Sequence, residues 1–204
     1  MGGYLFSRAY THGQPNTKKV ALCVDYADLP KGKDAKLRLG IWEALEKKNA
    51  VLNIYVTLEE LTLFPVQLKL LADKGHVIQL APTEFEEEAF NGWSMFQGNK
   101  SSCNLQIAHY EYTELFGEEP KWLLSRSVDS IGRHPTLLSE TRELGMKVAY
   151  WSTLVQLMGD TLTKKQLTAV QGDITDKNGG SIIYIKLGKG ISARCLAAPI
   201  CEII

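Results

Sequence analysis

The chain of 204 residues lacks the features that typify membrane and nucleic-acid-binding proteins. It contains no apolar run of about 18 residues, so the sequence predicts no membrane-spanning helix. Its 23 basic and 23 acidic residues cancel and are scattered, which leaves no positive field to attract nucleic acid. Residues 1–17 show no apolar stretch of the signal-peptide kind. We therefore expect no nucleic-acid partner and no membrane span.

Cysteine is scarce, and its spacing argues against the common zinc modules. No CxxC pair and no Cys/His spacing typical of structural zinc occurs among the four cysteines, Cys23, Cys103, Cys195 and Cys201. Cys195 and Cys201 could close a small disulfide loop in an exported protein, or both could be buried thiols. The glycosylation pattern that begins at Asn99 matters only in a secreted chain. A glycine-rich phosphate loop is also missing, so no nucleotide cofactor is expected.

What the sequence does contain is a regular alternation of apolar runs and helical patterns. The predicted strands are 20–24, 51–56, 76–80, 120–124, 146–151 and 181–185, and the predicted helices are 36–48, 65–74, 104–116, 135–144 and 163–170. Strands separated by helices at this spacing imply right-handed βαβ units and an α/β fold with a parallel sheet, open or closed into a barrel.

The sequence shows no internal repeat and no linker rich in proline or serine. We therefore expect a single domain over 1–204, with an N-terminal arm at 1–17, a core at 18–189 and a C-terminal segment at 190–204. Apolar residues make up 45% of the chain and charged residues 23%, which is typical of a globular protein with a hydrophobic core.

The first predicted strand ends on an acid, Asp25, which makes this residue the leading candidate for chemistry. Parallel-sheet proteins carry their substrate-binding loops and catalytic side chains at the carboxyl ends of strands. The alternative is that Asp25 caps the turn before Pro30 by accepting backbone N–H groups. A catalytic Asp25 would need metal-binding partners, and because none is evident in the sequence, the capping role is favoured. Asp28, in the same turn, is a second possible carboxylate.

Five segments of the chain, in the same order, resemble motifs of the polysaccharide deacetylase superfamily, also called the NodB homology or carbohydrate esterase 4 family. They are 19–30 against T-F-D-D-G-P, 52–56 against A-T-F-F-V, 75–78 against G-H-E-I-G, 115–120 against T-G-x-x-P, and 144–151 against G-M-K-V-V-Y-W. The resemblance spans about 18–189. It implies a distorted (β/α) barrel with fewer than eight complete units, similar to that of the chitin deacetylases.

The same resemblance implies an activity, a cofactor and a location. Members hydrolyse the amide of N-acetyl groups on a chitin-like polysaccharide, in carbohydrate and cell-wall metabolism. They use zinc or another divalent metal, held by two histidines and one aspartate, and an aspartate that acts as general base on the metal-bound water. By resemblance the protein is extracellular, at the cell surface or in the cell wall.

Carried over residue by residue, the resemblance leaves one catalytic position intact. Asp25 matches the general base, but the neighbouring metal-binding aspartate corresponds to Tyr26, a phenol with a pKa near 10. The H-x-x-x-H ligands fall on Ala81 and Phe85, which cannot coordinate a metal, and the histidine that acts as acid falls on Lys186. We therefore expect no bound metal or other cofactor, and no deacetylase activity.

Other residues could compensate for these losses. A substitute metal site would need at least two converging histidines, and no such set is predicted from the four in the chain. His76 is expected to be a hydrogen-bonded strand residue, His109 and His134 are expected at the surface, and His12 belongs to the N-terminal arm.

Trp93 is the best placed tryptophan for stacking on a sugar, whereas Trp42 is expected to pack in the core. The alignment leaves open whether Arg126 faces the site. The ammonium group of Lys186, close to Asp25, would form an ion pair where the metal would lie.

Three functions remain open after this comparison. The first is a non-catalytic member of the family that binds a chitin-like polysaccharide. The second is an active deacetylase with a non-standard site. The third is a structural or interaction protein of the cell wall or surface. Metal content, acetate release and sugar binding distinguish them.

Overall fold

Short apolar strands and amphipathic helices alternate along most of the chain. The computed structural model describes residues 20–29, 42–43, 45–82, 95–125, 135–175 and 180–203. The strands are β1 Ala21–Asp25, β2 Leu52–Val56, β3 Val77–Leu80, β4 Trp122–Leu124, β5 Lys147–Ala149, β6 Thr153–Leu157 and β7 Ile182–Leu187. The helices are α1 Leu58–Leu63, α2 Pro65–Asp73, α3 Met95–Phe116, α4 Pro135–Glu143, α5 Lys164–Thr175 and α6 Ala197–Ile203, with short 3₁₀ turns at Tyr26–Asp28 and Ala193–Leu196.

The strands form one sheet in the order β5-β4-β3-β2-β1-β7-β6. β1 pairs in parallel with β2 on one side and with β7 on the other, so that Leu22 lies opposite both Leu52 and Ile183. The β4–β5 and β6–β7 pairs are also parallel. The predicted fold class is confirmed, since this is an α/β fold with fewer than eight strands in the described part of the chain.

Two predicted helix ends depend on glycine. Gly75 has a φ of +86° and Gly145 a φ of +72°, a backbone conformation that side chains with a Cβ rarely adopt. The residue after each glycine then donates its N–H back into the helix, from His76 to the Leu71 carbonyl and from Met146 to the Thr141 carbonyl. These bonds satisfy carbonyls that a helix end would otherwise leave open, and they turn the chain directly into β3 and β5.

The structure also contains elements that the sequence analysis missed. α1 begins at a capping box in which Thr57 and Glu60 exchange hydrogen bonds between side chain and backbone. β6 follows β5 without a helix between them, contrary to the predicted alternation. Two helices are longer than predicted, since α3 starts at Met95 and α5 continues to Thr175. Of the predicted helix 36–48, residues 42, 43 and 45–47 are helical and the remainder lies largely outside the described residues.

The chain separates into two compact units. The first contains the described residues of Val56–Leu70 and Gln79–Tyr150; in it, α1 packs on α3, and α4 packs on β5. The second contains those of His12–Tyr55, Leu71–Ile78 and Trp151–Ile204, with β1 and β7 at the centre of its core. The single domain over 1–204 stays a prediction, and the arm at 1–17 lies outside the described residues.

In the parts of the chain that the structure describes, no helix combines the length and the apolar character needed to cross a membrane.

His76 ties the start of β2 to the start of β3, as expected for a hydrogen-bonded residue at the edge of a strand. Its Nδ1 accepts the N–H of Leu52 at 3.3 Å, and its ring lies 4.7 Å from that of Trp42. Trp42 is 7% exposed, which confirms the core position predicted for it. Burial, and secondarily the charge of Lys74, lowers the pKa of His76 from its ordinary value of 6.5.

Acid is therefore expected to destabilise the protein through His76. The unfolded chain binds this proton more readily than the folded chain, so the stability contribution is present above about pH 6.5 and is lost as the pH falls through the folded-state pKa. Urea titrations at several pH values should show the unfolding free energy falling across this window. In His76→Asn the amide oxygen can still accept from Leu52 but does not titrate, so the pH dependence should be shallower. An unchanged pH dependence in this variant would contradict the assignment.

Candidate functional site

Five side chains of the second unit share one face of its strands near their carboxyl ends. They come from three adjacent strands and are Cys23, Asp25, Tyr55, Tyr184 and Lys186. Side chains alternate across a strand, so Cys23 and Asp25 lie on one face of β1, and Tyr184 and Lys186 on one face of β7. The register pairs Cys23 with Tyr184 and Asp25 with Tyr55. This arrangement is the candidate site.

Asp25 is held by a tyrosine that the sequence analysis did not single out. The hydroxyl of Tyr184 donates to Oδ2 of Asp25 at 2.5 Å, within the range of strong hydrogen bonds from a hydroxyl to a carboxylate. Asp25 is 6% exposed and Tyr184 is 1% exposed, so the contact is shielded from water. The signal that could have identified Tyr184 is its spacing, two positions before Lys186 on the same strand.

The favoured alternative for Asp25, that its side chain caps the following turn, is wrong. Asp25 is the residue before the Tyr26–Asp28 turn, but its side chain makes no capping hydrogen bond. The turn is closed instead by the N–H of Leu29, which donates to the Tyr26 carbonyl at 3.1 Å. The carboxylate lies with the Tyr184 hydroxyl, which the parallel register of β1 and β7 brings within reach.

Asp28 serves the backbone. Its Oδ2 accepts the N–H of Leu187 at 2.9 Å, which ties the turn after β1 to the end of β7. A carboxylate committed to a backbone amide is a positioning group, and this contact accounts for the acid at position 28 without a metal.

Cys23 and Tyr55 complete the buried face and stay protonated at neutral pH. Burial raises the pKa of Cys23 to about 12; a hydrogen bond with Tyr55 opposes this rise and the charge of Asp25 adds to it. Burial, followed by the proximity of Cys23, raises the pKa of Tyr55 well above its usual value of 10.0. The reactive form of a cysteine is the thiolate, so Cys23 is not an activated nucleophile.

Tyr26, which the resemblance aligns with a metal-binding aspartate, is a buried aromatic residue. It is 3% exposed, and a neutral phenol is a poor ligand for zinc beside the carboxylate, imidazole and thiolate groups that zinc prefers. Within the described ranges, no three or more His, Cys, Asp or Glu side chains are grouped so that they could hold a metal ion. The donors of this face do not fit the catalytic metal that the resemblance implies.

The remaining predicted site residues are distributed as follows. Lys186 is half-buried on the Tyr184 face, and the register that pairs Val24 with Ile185 puts Asp25 opposite Lys186 at the next position. The Asp25–Lys186 ion pair stays a prediction. Ala81 is buried just after β3 in the first unit, and its N–H donates to the Val56 carbonyl at 2.9 Å. Phe85, along with Arg126 and Trp93, lies outside the described residues.

The predictions for histidine and cysteine have mixed outcomes. His109 was expected at the surface, but it is half-buried, and its Nε2 has no hydrogen-bond partner among the described residues. His12 and His134 fall outside those residues. Cys195 carries a free, half-buried thiol. The disulfide between Cys195 and Cys201, one of the two alternatives, is therefore not formed in the structure.

Searches with the sequence find no matching protein family and no matching curated relative. Comparison of the structure with solved structures finds clear neighbours. One is BA3943, a CE4 family pseudoenzyme from Bacillus anthracis, with 15% identity and a TM-score of 0.63 over 97% of this chain and 63% of that one. This chain therefore spans less than two thirds of the length of that neighbour.

Two further neighbours are carbohydrate-acting enzymes. A family 4 carbohydrate esterase from Streptomyces lividans, in complex with acetate, has 17% identity and a TM-score of 0.63 over 90% of this chain and 84% of that one. The peptidoglycan N-acetylglucosamine deacetylase Bc1960 has 16% identity and a TM-score of 0.61 over 100% of this chain and 87% of that one. The chain thus has the NodB-like fold of the carbohydrate esterase 4 deacetylases.

Proposed function

We propose that this protein is a non-catalytic member of the polysaccharide deacetylase group that binds a chitin-like polysaccharide at the cell surface or in the cell wall. The observation that carries the proposal is the Asp25–Tyr184 hydrogen bond. It takes up the carboxylate that resemblance assigns to the general base, and it does so on a face that offers tyrosine and thiol groups in place of metal ligands.

A general base must reach the proton that it removes, directly or through one water. Asp25 is only 6% exposed and accepts from a tyrosine that is itself 1% exposed. Its neighbours Cys23 and Tyr55 are also buried, so the carboxylate is surrounded by protein groups. What Asp25 does on this face is to hold β1 and β7 together, which is a structural role.

Support for sugar binding comes from the fold. The neighbours named above include deacetylases of peptidoglycan and a family 4 carbohydrate esterase, and one neighbour is itself named a pseudoenzyme. Resemblance alone carries the cell-surface location. A fold does not fix an activity, so binding and turnover need separate measurements.

The test combines metal analysis with assays of turnover and binding on the full chain. Purified protein, incubated with zinc and then dialysed, is expected to retain no stoichiometric metal by elemental analysis, and to release no acetate from N-acetylglucosamine oligomers or peptidoglycan. Calorimetric titration with the same oligomers is expected to show binding without added metal. An active deacetylase of this fold serves as the positive control for acetate release.

Each other outcome selects a different function. Stoichiometric zinc together with acetate release would overturn the proposal in favour of an active deacetylase. Absence of both sugar binding and turnover would overturn it in favour of a structural or interaction protein. The variant Asp25→Asn distinguishes an active deacetylase from a non-catalytic binding protein. It should abolish the turnover of an active enzyme, whereas a non-catalytic protein should still bind the sugar.

A further inference from the structure

A cavity of about 230 Å³ lies in the second unit at the amino ends of β2 and β3. The residues of its wall that bear on its chemistry are Trp42, Glu46, Asn49, Lys74 and His76. They precede Leu52 and Val77, the first residues of β2 and β3, whereas Asp25 lies opposite Tyr55 toward the far end of β2. A strand advances about 3.3 Å per residue, so the cavity is separate from the candidate site.

Two helix ends build this cavity. The helical segment that includes Trp42 ends at Asn49, which adopts a φ of +51° while the N–H of Ala50 donates to the Leu45 carbonyl at 2.8 Å. α2 ends in the same way at Gly75, where the N–H of His76 donates to the Leu71 carbonyl at 3.1 Å. Asparagine is the residue other than glycine that most readily takes this left-handed conformation. The two matching turns bring Asn49 and His76 into the wall of one cavity.

The tautomer of His76 is fixed by the backbone. Because Nδ1 accepts the Leu52 N–H, the proton of the neutral ring is on Nε2, which makes that atom a hydrogen-bond donor. The ring packs against the Trp42 indole at an interplanar angle of 45°. Two rings that pack on each other, those of Trp42 and His76, thus line the cavity, and the neutral His76 ring carries its proton on Nε2.

The exposed side chains around this wall supply the complementary groups. Glu46 adds a carboxylate acceptor, Lys74 an ammonium donor, and Asn49 an amide that does both. Within the described part of the chain, these three side chains form no hydrogen bond or ion pair with one another or with other residues. The polar capacity at the cavity is thus available to a ligand, and the formal charges of Glu46 and Lys74 cancel.

We propose that this cavity binds one pyranose ring of a neutral sugar. Sugar hydroxyls both donate and accept, so they need the mixture of donors and acceptors that these four polar side chains present. Trp42 is 7% exposed, and the part of its indole that lines the cavity gives the sugar ring an apolar contact without a full stacking face. The volume is below the roughly 300–1,000 Å³ of pockets for drug-sized ligands, which fits one ring. This site is independent of the proposed loss of catalysis, because it would serve an active or an inactive protein equally.

The test uses backbone amide NMR of the full chain titrated with methyl β-glucoside and N-acetylglucosamine, with glucosamine as a cationic comparison. Saturable shifts are expected at Asn49, Ala50 and His76, with Kd near the millimolar range that suits one ring. Glu46→Gln keeps the shape and removes the charge, and Asn49→Gly keeps the left-handed backbone and removes the amide. Each is expected to weaken binding about tenfold.

The controls separate this site from the candidate site. Glu118→Gln changes an exposed acid of the first unit and should leave the affinity unchanged. If neither neutral sugar shifted the amide signals at the cavity, the inference would be overturned. It would also be overturned if Glu46→Gln and Asn49→Gly bound the sugars as tightly as the unmodified protein does. Binding of glucosamine alone would also overturn it, since the site would then recognise a cation. Loss of binding in Asp25→Asn, with the cavity variants unaffected, would move the sugar to the candidate site.

Discussion

Replacing Tyr184 with phenylalanine is expected to lower the free energy of unfolding by about 2–3 kcal/mol. The change removes only the hydroxyl that donates to Asp25 at 2.5 Å, and it leaves the ring in the core. Asp25 is only 6% exposed, so water cannot readily replace the lost donor. Hydrogen bonds to charged groups are among the stronger ones in proteins, which sets the size of the effect. Urea unfolding followed by circular dichroism measures it.

Tyr55→Phe is the matched control for this substitution. Tyr55 is a buried tyrosine on the same sheet face, but its hydroxyl hydrogen-bonds to the thiol of Cys23, a weak partner. We expect its removal to cost less than about 1 kcal/mol. A double-mutant cycle of Tyr184→Phe with Asp25→Asn should give a coupling energy of about 1–2 kcal/mol. Equal effects of Tyr184→Phe and Tyr55→Phe, with no coupling, would contradict the role assigned to the Asp25–Tyr184 pair.

The main features of the sheet could be predicted because they are written in short stretches of sequence. The apolar run before Asp25 predicts β1, and the glycines at 75 and 145 mark helix ends that the structure confirms. β6 could not be predicted this way, since it follows β5 directly, and Thr153–Leu157 has only a partly buried, weakly alternating pattern. α1 carried a usable signal, the Thr57–Glu60 capping box.

The candidate site could be predicted only in part, because its partners come from strands that are distant in sequence. Asp25 and Tyr184 are 159 positions apart and meet because β1 and β7 are neighbours in the sheet. The family resemblance put Lys186 near Asp25, but the sequence does not indicate that the hydroxyl of Tyr184, on the same face, donates to this carboxylate. For the same reason Asp28 gave no sign that it accepts from Leu187.

The cavity at His76 could not be predicted from the sequence, for a different reason. Its shape depends on the left-handed φ of Asn49, a conformation that asparagine adopts only in some contexts. From the sequence, His76 was expected to be a hydrogen-bonded residue and Trp42 to lie in the core, and the structure confirms both. That their rings pack together beside a second helix end is a property of the folded chain.

Tyr26→Asp is expected to have the largest effect, lowering the free energy of unfolding by about 3–5 kcal/mol. It restores the carboxylate that the family resemblance implies for a metal ligand, but at a position that is 3% exposed. The phenol ring leaves a void in the core, and the new carboxylate is next in sequence to that of Asp25. Because the resemblance aligns Ala81 and Phe85 with the histidine ligands, zinc is expected to give no recovery.

The measurement is urea unfolding of Tyr26→Asp with and without zinc, with Tyr26→Phe as the control that keeps the ring. We expect Tyr26→Phe to cost at most about 1.5 kcal/mol, the value of one neutral hydrogen bond. A ligand that binds only the folded state raises the unfolding free energy with its concentration. If zinc raised the stability of Tyr26→Asp in this way and not that of Tyr26→Phe, a single carboxylate would be enough to rebuild a metal site. The face around Asp25 would then be a catalytic centre missing one ligand, and the structural role assigned to Asp25 would be wrong.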